Sequence, residues 1–144
     1  MTHSFDGYNY MIRLECGKRL AAAVEQFLRE VDLAGGWVSD IGSASEVTLG
    51  FYELERQQYK WRTLTRPLEI ASLAGNLAAD EQGAMTCHLH GVFADEQYRT
   101  VGGHVRDLVA GATVELFVHR SFRPVRRTFD GATGLALLDL GRHD

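Results

Sequence analysis

The hydrophobic period of this chain changes at Gly35-Gly36, and that change narrows the fold more than any other feature. Leu20, Ala23, Val24, Phe27, Leu28 and Val31 recur at helical spacing, so one apolar stripe predicts a helix over residues 18–33. Gly35 and Gly36 stop it. Beyond them the period falls to two. Strands are predicted over 37–41, 46–52, 59–64, 68–77, 85–93, 113–119 and 134–140, with another ahead of the helix over 8–15. Residues 42–45 are expected to join two strands. In 102–110, Val105, Leu108 and Val109 fall on one side, which predicts a short second helix stopped by Gly111. The expected class is α+β: a largely antiparallel sheet of about seven strands with one long helix and a short second helix.

A chain of 144 residues suits one domain, expected over 8–140, and apolar residues at 45% supply a core without disulfides or a structural metal. The formal charge of −4 argues against a stand-alone grip on a nucleic-acid backbone, which needs a basic excess. Cys16 and Cys87 are far apart and form neither a disulfide framework nor a CxxC knuckle. Both are expected as buried thiols in a reducing compartment. No apolar run approaches the roughly 20 residues of a membrane span. Residues 1–10 lack a basic leader and an apolar core, so a cytoplasmic location is expected.

The chemistry concentrates in histidine. His88 and His90 are two apart on a predicted strand, so their rings share a face while Cys87 and Leu89 turn to the other. His104 stands in Gly102-Gly103-His104, where the glycines permit a tight turn that could fold it back onto that face. Three neutral imidazoles meeting at one point make a shell that Zn²⁺ accepts, with a fourth position open. At the start of the predicted short helix, His104 would be held neutral by the helix dipole. The competing reading of an HxH pair is two exposed or hydrogen-bonded histidines. His119 could face either way, and His3 and His143 are terminal and expected in solvent.

Other candidates are weaker. Arg120, Arg123, Arg126 and Arg127 surround Pro124 and could bind phosphate, but a solvated edge strand explains them as well. The cluster lacks the Arg-Gly-Arg-Pro core of an AT-hook. Glu69 and Glu115 are candidates to orient a ligand histidine, or else partners in salt bridges. Ser43 and Ser45 have no nucleophile context, and no Walker or dinucleotide glycine motif occurs. No general base stands out, so no catalysis is assigned.

Taken in order, several segments carry a family resemblance. They are Ile41-Gly42-Ser43, Gly50-Phe51-Tyr52, the run from Leu68 to Asn76, His88-Leu89-His90, Gly102-Gly103-His104, Val114-Glu115-Leu116 and the run from Arg127 to Leu135. Together they make the chain resemble the plants-and-prokaryotes-conserved (PPC, DUF296) family. The resemblance implies an α+β fold, a homotrimer, and a metal, zinc first, on the histidines matching His88, His90 and His104. Family members are commonly labelled DNA-binding, a label resting on AT-hooks that this chain lacks. Gly17-Lys18 departs from the family pattern, which often has an acidic residue there.

Overall fold

The computed structural model describes residues 1–141. Eight strands form one sheet: β1 (Thr2–Phe5), β2 (Asn9–Glu15), β3 (Gly36–Glu53), β4 (Gln58–Ala79), β5 (Met85–Ala94), β6 (Thr100–Arg120), β7 (Arg126–Asp130) and β8 (Leu135–Asp139). One helix, α1 (Leu20–Glu30), and a 3-10 turn (Leu54–Arg56) complete the elements. Every pairing is antiparallel except a single parallel bridge between Ala79 of β4 and Arg126 of β7. The sheet is therefore largely antiparallel as expected, mixed by that one bridge, and its eight strands are close to the number expected.

Period two explains the strands directly. In β2, Tyr10, Ile12 and Leu14 are buried while Met11 and Arg13 face outward. The helix is shorter than predicted. Its buried stripe is Leu20, Ala23 and Phe27, and it packs on β6. Asp107 of β6 serves its N-terminus from outside: Oδ1 accepts from the Ala21 N–H at 2.9 Å and Oδ2 accepts from Arg19 at 2.9 Å.

Two expectations about the strands are corrected. The short second helix over 102–110 does not form, because that segment is the first half of β6. Thr48 pairs Asp107 while Leu49 pairs Val105, so Arg106 is an extra residue, a β-bulge. The bulge shifts the alternation and brings Val105 and Leu108 to the same buried side, a three-residue spacing that imitates a helix. The junction over 42–45 is not a break either. β3 runs through it with register shifts, and Ser45 faces both Arg66 and Pro67 of β4. Pro67, with no N–H to give to the ladder, sits at that irregularity. Gly42 has φ +143°, and a Cβ there would lie 2.3 Å from the Thr113 carbonyl oxygen, so only glycine lets β6 pass this closely.

Strands β3, β4, β5 and β6 close on themselves: β3 pairs β4, β4 pairs β5, β5 pairs β6 and β6 pairs β3. The apolar core lies inside this ring and beneath α1, with Phe27, Leu73, Phe93 and Leu108 fully buried. β5 and β6 form a hairpin joined by residues 95–99, and the histidines are on those two strands.

Candidate metal centre

The three histidines predicted as a site meet in space. His90 and His104 are direct register partners across β5 and β6, and His88 lies two residues along β5 on the same face. Ring centroids are 5.1 Å apart for His88 and His90, 4.9 Å for His88 and His104, and 5.4 Å for His90 and His104. One nitrogen from each ring lies within 4.8 Å of those of the other two. A tetrahedral zinc with Zn–N near 2.1 Å needs nitrogens about 3.4 Å apart, so modest side-chain rotation completes the shell. His88 Nε2 and His104 Nδ1 are buried and have no hydrogen-bond partner. Such orphaned polar atoms are rare, and their convergence fits residues that hold a cation.

The convergence arises differently from the sequence expectation. Gly102 and Gly103 do not turn the chain back; they lie within β6. A Cβ on Gly103 would meet the Gly50 carbonyl oxygen at 2.8 Å, so their smallness lets β3 and β5 close on either side of β6. Nor does a helix dipole hold His104 neutral. Burial lowers its pKa instead, with further lowering from the charges of His90 and Arg127. Burial likewise pulls His88 down to about 4, helped by His104, Arg127 and His90.

Aromatic rings and one arginine wall the site. Tyr59 lies against His104 with centroids 4.8 Å apart, and Trp61 stacks on Tyr59 at 4.7 Å. Gly50, the β3 register partner of His104, leaves room for both rings. Arg127 reaches in from β7. Its Nη2 donates to Asn76 Oδ1 and, at 3.1 Å, to His88 Nδ1, and its Nη1 donates to the Ala136 carbonyl at 2.7 Å. A guanidinium can only donate, so His88 Nδ1 accepts and the proton of the neutral ring sits on Nε2. A neutral His88 that takes a cation at Nε2 carries its proton on Nδ1 instead, so Arg127 would then give up this contact. Tyr59, His88, His104 and Arg127 together with Leu135, Ala136 and Leu137 line a cavity of about 170 Å³.

The remaining candidates separate. Glu69 pairs Ala94 at the far end of β5 and Glu115 pairs Arg13, both exposed, so neither orients a histidine. His119 is exposed beside Phe117, and His3 shares a 3.0 Å hydrogen bond with Glu30. His143 lies outside the described residues. Cys87 does face away from the histidines and toward the core, but Cys16 is exposed, not buried. The arginine cluster splits: Arg123 and Arg126 are exposed, Arg120 lies over the Phe5 and Phe122 rings, and Arg127 is buried. The solvated-strand reading therefore fails for Arg127. Sequence reasoning also passed over Tyr59, Asn76 and Asp40. Only the alternation of β4, with Asn76 opposite His88, carried a trace of the second of these.

A family model described as the Plants and Prokaryotes Conserved (PCC) domain matches residues 1–121. Among solved structures, a protein from Archaeoglobus fulgidus described as metal-containing is 30% identical. It superposes with a TM-score of 0.82 over 96% of this chain and 98% of that one. A protein from Ralstonia eutropha described as a candidate DNA-binding protein is 28% identical, with a TM-score of 0.88 over 96% of each chain. A curated relative, the bifunctional protein GlmU of a Synechococcus strain, is 39% identical over 98 residues, which make up 67% of this chain and 14% of that protein. The chain thus spans about a seventh of that relative's length.

Proposed function

The chain belongs to the Plants and Prokaryotes Conserved domain family, and we propose that it is a metal-binding member whose His88, His90 and His104 hold zinc with one position open to a small ligand. The observation that carries this reading is the pair of buried, partnerless nitrogens, His88 Nε2 and His104 Nδ1, turned to one point beside a third imidazole. All-nitrogen, neutral ligands favour zinc over magnesium or calcium, which prefer oxygen. The metal-containing Archaeoglobus relative supports it further. Zinc bound in this way supplies Lewis acidity at its open position. The protein's own part is positional. Tyr59 and Trp61 back His104, Arg127 stands against the His88 ring, and Leu135 and Leu137 line the cavity beside them.

A homotrimer belongs to the same proposal. Trp37 and Val92 are 51% and 41% exposed and flank His90 along a shallow hollow floored by Gly91, Gly102 and Gly103. A second copy seated there would cover apolar surface at the rim of the metal centre.

Metal analysis of untagged protein tests the reading. We expect about one zinc per chain in wild type and a near-complete loss in His104→Ala. Equal, near-zero zinc in both proteins refutes it. Light scattering should give three times the chain mass, and a monomer removes the trimer. Direct DNA binding, suggested by the Ralstonia description, has less behind it: the charge is −4, and of the four arginines around Pro124 two, Arg123 and Arg126, are exposed.

A further inference from the structure

We propose that the cavity of about 170 Å³ beside the histidines takes a short-chain carboxylate, its charge met by Arg127 and its carbons set against Leu135 and Leu137. This rests on the metal reading above and names the class of ligand that the open position serves.

The argument is one of charge. Arg127 is only 9% exposed, and a guanidinium stays protonated in any protein environment. Its partners are all neutral: a backbone carbonyl, the Asn76 amide oxygen and an imidazole nitrogen. No carboxylate pairs with it among the described residues. Buried charges in proteins are paired, because an unpaired one forfeits its hydration. The ligand histidines bring no negative charge, and a dication beside Arg127 would deepen the imbalance. The protein therefore supplies cationic groups around a hollow and leaves the anion to come from outside.

The shape of the hollow selects among anions. Its volume is below the range of roughly 300–1,000 Å³ that holds drug-sized ligands, so a nucleotide is too large. Its remaining wall is Leu135, Ala136, Leu137 and the Tyr59 ring. An inorganic phosphate, needing donors on several sides, finds apolar surface there. A carboxylate needs a single forked contact, which a planar guanidinium provides, and a few carbons behind it fill the apolar part.

Cobalt(II) replaces zinc to give a visible spectrum sensitive to the metal's ligands, so the test is titration of the cobalt-loaded protein with propionate. We expect a saturable spectral change in wild type. In Arg127→Gln, brought to full cobalt loading first, the propionate concentration at half-change should rise by about tenfold or more. If Arg127→Gln does not fold, Arg127→Lys carries the test, with a smaller rise because the charge stays and the fork is lost. Propionate curves identical in wild type and variants would overturn the proposal, as would inorganic phosphate binding more tightly than propionate. Failure of wild type to develop a cobalt spectrum is a different result: it removes the metal reading, and this proposal with it.

Discussion

Asp40 allows the most demanding test of the packing. It lies on β3 between Leu73 of β4 and Leu116 of β6, it is 8% exposed, and neither carboxylate oxygen has a hydrogen-bond partner. Burial raises its pKa from the ordinary 3.8 to about 8. The sign follows from linkage. Below pH 4 the group is protonated in both folded and unfolded chains and costs nothing. Between pH 4 and 8 the unfolded chain ionises while the folded one stays neutral, so stability falls as pH rises, by up to about 1.4 kcal/mol per pH unit. Above pH 8 the loss is complete. The gap between 3.8 and about 8 caps it at about 6 kcal/mol, a large share of the 5–15 kcal/mol typical of a domain. Asp40→Asn keeps the shape and cannot ionise. Urea unfolding of both proteins at one concentration, from pH 4.5 to 8.5, isolates the effect, since contributions from the histidines cancel in the difference. The advantage of Asp40→Asn should widen steadily across that range. A difference that stays flat would mean that the carboxylate ionises normally, and would refute the placement of this side chain in a dry core.

Three further outcomes follow from the same geometry. Gly75→Ala places a Cβ 1.8 Å from the His88 carbonyl oxygen, a backbone atom that cannot yield. Urea unfolding should report a loss of about 3 kcal/mol or more, and zinc binding should fall with it. Phe27→Ala empties the main anchor of α1 and should cost about 3–5 kcal/mol in the same assay. With iodoacetamide at pH 8, mass spectrometry should find Cys16 labelled quickly and Cys87 spared. Cys16 is exposed, whereas burial pushes the Cys87 thiol up to about 12.

What could be read from the sequence divides along a physical line. Local periodicity was legible. The stripe from Leu20 to Val31 gave α1, and the His88-Leu89-His90 spacing gave two rings on one face, because both depend on a handful of neighbouring residues. Register was not legible. That His104 stands opposite His90 depends on how β5 and β6 align, and the bulge at Arg106 disguised β6 as a helix. Arg127 shows the same limit from another side. Within an arginine-rich stretch nothing distinguishes it from Arg126, yet their alternation on β7 turns one to solvent and the other to His88. A charged residue is expected outside until tertiary structure gives it a reason to be inside.

The closed circuit of β3, β4, β5 and β6 also sets a timetable. Gly36 of β3 must find Arg120 of β6, and that junction cannot form until the intervening chain has been drawn in. Pairings so distant along the chain are entropically costly before they are rewarded, so this protein should fold in milliseconds to seconds rather than microseconds. The three imidazoles do not wait for it: the β5–β6 hairpin, joined by residues 95–99, sets His104 opposite His90, so a half-folded chain can already hold the trio.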